Sequence, residues 1–358
     1  MPALVVEDDP FLRLAQVILD PSTPAARTAA FAHFVAHEEP DFTGWCARLR
    51  ARLERLYPSE VRLVRDPEQA RSALPGARAL IVESLAVGER EIAAAGGALR
   101  AVQKYGSVLS NVDAQACARC GVRVLVLRRR ANMACAEHAL ALLLALARRI
   151  PETAGRVSVE QLRAAGFSPT RYDREHTATA NWARVTGIST LFRGQLGIVG
   201  LGEIGREVAV RAAAFGARLI YTQRRRLAPE EEARYGASYA PLEELLARSD
   251  FVTLHLPLND ATRGLIGARE LALMKPSAIL VNVSRPELVD RTALLDALAA
   301  GRLGGVGLDP HYDAPGRADD PLLGHRNVIV TPHLAAAPRY NALEDIEELL
   351  LGLDRALD

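Results

Sequence analysis

Cysteine is scarce, with only Cys46, Cys117, Cys120 and Cys135 in 358 residues, and the opening MPALVVEDDP carries no basic stretch followed by a long apolar core. A disulfide framework is thereby excluded, and a reducing, cytoplasmic setting is expected. Cys117-Ala-Arg-Cys120 is a lone CxxC with no second pair to complete a zinc site, so it predicts two unconnected thiols on a helix and no metal. A dominant charge is also lacking: 44 Lys plus Arg face 43 Asp plus Glu. That balance argues against a nucleic-acid partner. The longest apolar run, about Ala139 to Ala147, falls far short of the ~20 residues that cross a bilayer, so no membrane partner is expected.

What is present is the composition of a soluble globular protein, 49% hydrophobic and 24% charged. The length suggests two domains. The stretch up to about Tyr57 reads as helical segments broken by Pro21, Pro24 and Pro40. Strands are then expected at Val61–Val64, Ala79–Val82 and Val122–Leu127. Asn132 is a good N-cap type for a helix running to Arg149 that is apolar on nearly every face, hence buried. Residues 151–190 form a polar connection with some helix. From Gln195 onward strands and helices alternate, with strands ending at Val199, Tyr221, Leu254, Val283, Leu308 and Val330. Such alternation predicts a parallel sheet with right-handed crossovers.

Gly200-Leu201-Gly202-Glu203-Ile204-Gly205 sits between a predicted strand and a predicted helix. That context turns a weak GxGxxG pattern into a dinucleotide site, with the pyrophosphate on the helix N-terminus. An acid at the end of the next strand would accept from the ribose hydroxyls of NAD. This sequence has Thr222-Gln223-Arg224-Arg225-Arg226 there instead. Guanidinium groups attract a 2′-phosphate, so NADP(H) is expected in preference to NAD(H).

Ligands of such sheets lie beyond the carboxyl ends of the strands. In the second half those ends carry His255, Ser284-Arg285, Asp309 and Thr331-Pro332-His333. Four chemically capable groups on one edge make a candidate active site. His333 can supply a proton to a carbonyl oxygen near neutral pH, and Arg285 offers a fork to a substrate carboxylate. Asp309 is placed to hold the nicotinamide carboxamide.

Gly-Leu-Gly-Glu-Ile-Gly, His255-Leu-Pro257, Met274-Lys-Pro, Val281-Asn-Val283-Ser284-Arg285, Gly307-Leu-Asp309 and Thr331-Pro-His333 together resemble the D-isomer-specific 2-hydroxyacid dehydrogenases. Asn111-Val-Asp113 and Ala136-Glu137-His138 extend the resemblance into the first half. It implies an α/β protein of two Rossmann-like domains with doubly wound parallel sheets. The NAD(P)-binding domain, 131–333, would be inserted into a discontinuous substrate domain, 1–130 plus 334–358. It also implies a homodimer and a small anionic 2-oxo or 2-hydroxy acid as substrate. The catalytic Arg and His map to Arg285 and His333. Cofactor contacts map to Gly200, Gly202, Glu203, Ile204, Gly205, Gln223, Arg224, Arg225, His255, Pro257, Thr262, Val283, Ser284 and Asp309. Substrate contacts map to Tyr105, Gly106, Ser107 and Val108. The run Arg128-Arg129-Arg130 stands where the family has a Pro-containing turn, and Arg130 is a candidate for a second anionic group on the substrate.

Departures from the family are specific. The family Glu that supports the catalytic His falls on Ala314, with Asp313 one residue early. The expected consequence is that keto-acid reduction needs a more acidic pH than is usual for the family. The substrate loop Gly-x-Gly-x-Asp is Gly106-Ser-Val108-Leu-Ser110, and Arg-Gly has become Arg285-Pro286. Two other readings accommodate these changes: a dinucleotide-binding regulator without turnover, or a dehydrogenase of a formate- or phosphite-like anion.

Overall fold

The protein is described by a computed structural model covering residues 1–357. It divides into two compact units, Met1–Asn132 with Ala336–Asp358, and Met133–Ala335. Both are α/β structures around an all-parallel sheet, the architecture expected from the sequence.

The first unit has strands β1 (Ala3–Glu7), β2 (Glu60–Val64), β3 (Ala77–Val82), β4 (Ala101–Lys104) and β5 (Arg123–Leu125), in the order β2-β1-β3-β4-β5. Successive side chains point to opposite faces of a strand. Leu4, Val6, Ala79 and Ile81 therefore pack on one side with Leu343, Ile346 and Leu350 of the helix Tyr340–Ala356. Val5, Leu80, Val82 and Val102 pack on the other with Leu74, Ile92 and Cys117. The reading of residues up to Tyr57 as purely helical is corrected here. β1 lies inside the sheet, and only the helices Arg13–Leu19, Ala25–Val35 and Phe42–Arg50 follow it. A strand buried on both faces loses the in–out alternation that marks a half-buried one.

The helix Arg130–Ala147 begins two residues before the expected cap, Asn132. Its starting amides are satisfied from far along the chain. The fully buried Asp345 carboxylate accepts from Arg130 N at 2.9 Å and from Ala131 N at 3.5 Å. A carboxylate at a helix N-terminus also complements the helix dipole, so no local cap is required.

The second unit carries β6 (Gln195–Val199), β7 (Arg218–Thr222), β8 (Ala237–Tyr239), β9 (Phe251–Leu254), β10 (Ile279–Asn282), β11 (Gly305–Leu308) and β12 (Val328–Val330). Their order is β12-β11-β10-β9-β6-β7-β8, so the direction of winding reverses between β6 and β9. Leu142 and Leu146 of the long helix lie against Gly307 and Gly305 of β11, where a Cβ would meet them at 3.1 Å. Between that helix and β6 the chain forms only the short helices Ile150–Thr153 and Val159–Ala164. Among the described residues no helix is long and apolar enough to cross a membrane.

Candidate active site

The carboxyl ends of β6 and β9 meet at the reversal of winding, the place where open α/β sheets bind ligands. Gly200 follows β6 with φ +96° and passes so close to β9 that a Cβ would lie 2.6 Å from the His255 carbonyl oxygen. Only glycine fits there. A Cβ on Gly205 would overlap the Gly200 carbonyl oxygen, so the helix Glu203–Ala214 can approach β6 only without a side chain. Around Gly202 nothing lies within 4 Å of a Cβ. The turn thus leaves an open cradle in front of a 12-residue helix N-terminus, and a pyrophosphate fits it. Glu203 and Ile204 form the first turn of that helix.

His255 follows β9 and anchors there by donating its backbone N–H to Val199 O at 2.8 Å. Both of its ring nitrogens are shielded from solvent and lack a hydrogen-bond partner among the described residues. Buried polar atoms are almost always paired, so an unpaired ring beside the cradle fits a site built for a ligand. Burial drives its pKa down to about 3, leaving the imidazole neutral near pH 7. Unfolded, it titrates near 6.5. Below that pH the unfolded chain takes up a proton that the folded chain refuses. Stability contributed by this group is complete above about 6.5 and falls by about 1.4 kcal/mol per pH unit toward pH 3. Urea midpoints measured from pH 4 to 7 should therefore drop more steeply in the wild type than in His255→Asn. Parallel slopes would show that the ring is solvated in solution.

The loop after β7 separates the three arginines. Arg226 is bound by Glu232 through two 2.9 Å hydrogen bonds. That contact, with the Tyr221 hydroxyl donating at 2.7 Å, lowers the Glu232 pKa to about 2. Arg224 and Arg225 are exposed and make no ion pair among the described residues. Gln223 turns its amide back to Arg225 O at 2.7 Å. Two guanidinium groups and no carboxylate thus follow the second strand of the sheet.

Thr262 donates to Pro257 O at 2.7 Å and closes the loop after β9. Val283 is buried, and Ser284 donates to Leu254 O at 2.9 Å, tying the ends of β10 and β9 together. Arg285 extends from the end of β10 into solvent, with one N–H on Ser284 O. His333 follows β12, exposed, with its backbone at φ +59°. No carboxylate lies within ion-pairing distance of its ring among the described residues. Asp313, one residue before Ala314, faces His311 and Asp320. The dyad expected of the family is therefore absent from this structure.

Three expected site residues are placed differently. Asp309 is wholly buried, and its carboxylate is filled by Thr331 Oγ1, Leu334 N and Ala335 N, each at 2.7 Å. Its carboxylate thus holds the His333 loop through these three contacts. Tyr105 is 1% exposed and packs in the first unit's core, with the Arg129 guanidinium 3.9 Å above its ring. Its hydroxyl is buried and finds no hydrogen-bond partner among the described residues. Arg130 is held by Glu344, Asp345 and Glu348 of the final helix. Of the three consecutive arginines, Arg129 faces Glu83 at 3.5 Å instead. Gly106, with φ +151°, opens the loop after β4, and Ser107 and Val108 continue it. Cys117 is buried in the helix Ala114–Arg119, Cys120 is exposed just beyond it, and both are free thiols.

Comparison with known proteins decides the family. Residues 140–335 match the model of the D-isomer specific 2-hydroxyacid dehydrogenase NAD binding domain. This chain belongs to the D-isomer specific 2-hydroxyacid dehydrogenases. It is 37% identical over 271 residues to a glyoxylate reductase of Korarchaeum cryptofilum, covering 75% of this chain and 76% of that protein. It is 39% identical over 281 residues to a D-3-phosphoglycerate dehydrogenase of Mycobacterium bovis, covering 78% of this chain and 49% of that one. The chain thus spans about half the length of the phosphoglycerate dehydrogenases it matches. The solved structure of the TT0316 protein from Thermus thermophilus aligns with 98% of this chain and 94% of its own, at 29% identity and a TM-score of 0.52. The matched segment is the family's NAD binding domain, and the open glycine turn beside the unpaired His255 ring fits such a ligand.

His138 joins the site without having been assigned a role from sequence. It lies on the long helix with Nε2 3.0 Å from Thr331 Oγ1. Its place in Ala136-Glu137-His138 was visible as a motif, but nothing local showed what the ring would touch.

Proposed function

We propose that the chain reduces a small 2-oxo acid to a D-2-hydroxy acid, with NADPH preferred over NADH. The observation that carries this reading is the convergence at one sheet edge. The cradle after β6, His255 after β9, Arg285 after β10 and His333 after β12 all follow carboxyl ends of neighbouring parallel strands. The bound reduced nicotinamide supplies the hydride. Arg285, exposed and without a carboxylate partner among the described residues, binds the substrate carboxylate through its fork. His333 gives the proton to the carbonyl oxygen as it becomes a hydroxyl. In the reverse direction it takes that proton back. The residues 1–130 with 334–358 serve as the substrate domain, and the enzyme acts as a homodimer. Glyoxylate, hydroxypyruvate and aryl pyruvates form the substrate panel to try first. Oxidation of NADPH and NADH, followed at 340 nm with that panel, tests the reading.

The preference for NADPH rests on Arg224 and Arg225. Replacing both by alanine should lower the NADPH-to-NADH ratio of kcat/KM about tenfold or more, the worth of one or two charge-assisted contacts to a phosphate. An unchanged ratio would assign these arginines to a solvated loop.

A second reading, a dinucleotide-binding regulator without turnover, is favoured by one observation: among the described residues His333 has no carboxylate to support it. Dinucleotide binding with no oxidation on any panel member would establish that reading instead.

A further inference from the structure

We propose that Thr331 and His138 are positioning residues that set the backbone conformation of His333. This rests on the reading of His333 as the proton donor. A non-glycine residue at φ +59° is in a sparsely populated region and stays there only when its surroundings fix it. The fixing groups can be followed atom by atom. Thr331 Oγ1 lies 2.7 Å from Asp309 Oδ1 and 3.0 Å from His138 Nε2. A threonine hydroxyl has one hydrogen, and the carboxylate can only accept. The hydroxyl therefore donates to Asp309, and His138 must donate its Nε2 hydrogen to the hydroxyl. Asp309 Oδ1 also takes the Leu334 N–H, and Oδ2 takes the Ala335 N–H, each at 2.7 Å.

The outcome is a continuous set of hydrogen bonds from the helix Arg130–Ala147 to both amides that follow His333, converging on the Asp309 carboxylate as acceptor. The His333 N–H itself donates to Thr331 O at 2.9 Å, which closes the loop from the other side. His333 is thus flanked on both sides by groups that a single carboxylate and a single hydroxyl hold in place. Asp309 is completely buried, so water cannot replace a lost donor there without opening the site. Where the family uses a Glu to orient the imidazole, this chain has Ala314. Control of His333 then comes from its main chain.

The test compares Thr331→Val, which keeps the shape and removes the hydroxyl, with Thr331→Ser, which keeps the hydroxyl. His138→Ala tests the far end of the chain, with His138→Gln retaining a donor. Four quantities are measured: kcat and KM for the best 2-oxo acid, dinucleotide affinity by fluorescence titration, thermal midpoint, and hydrogen exchange at Leu334 and Ala335. Thr331→Val should lower kcat about 10- to 100-fold, with KM and dinucleotide affinity within about threefold. Exchange at Leu334 and Ala335 should quicken. Thr331→Ser should restore both, and His138→Gln should exceed His138→Ala. The proposal is overturned if Thr331→Val leaves kcat and exchange unchanged, if serine fails to rescue, or if dinucleotide affinity falls in step with kcat. His333→Ala, run alongside, separates the two ideas. Activity surviving in it defeats the proton-donor reading, while exchange in the threonine variants still reports on the latch.

Discussion

Replacing His333 by alanine is expected to lower kcat/KM for a 2-oxo acid by about 10²- to 10⁴-fold, the usual worth of a positioned general acid. Dinucleotide affinity should stay within about twofold, because the cradle after β6 is formed by other residues. The side chain is exposed and has no hydrogen bond to another side chain or to the backbone among the described residues, so the thermal midpoint should hardly move. That combination is diagnostic. A comparable fall in affinity would mean that His333 serves the cofactor. Full activity in the variant would mean that another group or water delivers the proton. Stopped-flow oxidation of NADPH with parallel fluorescence titration distinguishes these cases.

Two glycine variants in the same turn should fail in different ways. Gly205→Ala forces a Cβ into the Gly200 carbonyl oxygen, with Ile198 Cγ2 only 3.3 Å away. The helix Glu203–Ala214 must then move off β6, with an expected loss of about 1–3 kcal/mol of stability. Dinucleotide binding should fall too, because the displaced amides no longer converge. Gly202→Ala meets no protein atom within 4 Å. It should keep the wild-type thermal midpoint yet weaken dinucleotide binding about tenfold or more, because its methyl occupies the space for the pyrophosphate. Urea unfolding read beside a binding titration makes the contrast visible. Unaltered binding in Gly202→Ala would move the pyrophosphate elsewhere and with it the whole site.

Much of this site was legible because its signals are local. A strand, a glycine turn and a helix N-terminus occupy adjacent residues from Gln195 to Ala214, and each strand end carries its polar group in the next one to three positions. What was illegible depends on distant partners. Asp345 caps a helix that begins more than two hundred residues earlier, so the cap could not be read beside Asn132. Arg130 looked available until three acids of the final helix came to surround it. Asp309 looked like a ligand at a strand end, yet its partners are the amides of Leu334 and Ala335. β1 escaped for another reason. A five-residue strand buried on both sides has no polar face to set its period.

The placement of the final helix also bears on how the protein is made. Leu343, Ile346, Leu349, Leu350 and Leu353 belong to the same core as Leu4 and Val6. The ribosome releases these leucines only after all of Met133–Ala335 has emerged. Domains generally fold as units during synthesis, and a core closed by distant contacts forms slowly. The second unit, continuous in sequence, can complete its sheet while the nascent chain is still attached. The first must wait with the part of its core beside β4 and β5 that the final helix fills still open. Of the two units, the one that begins earlier in the chain is thus the last to be finished.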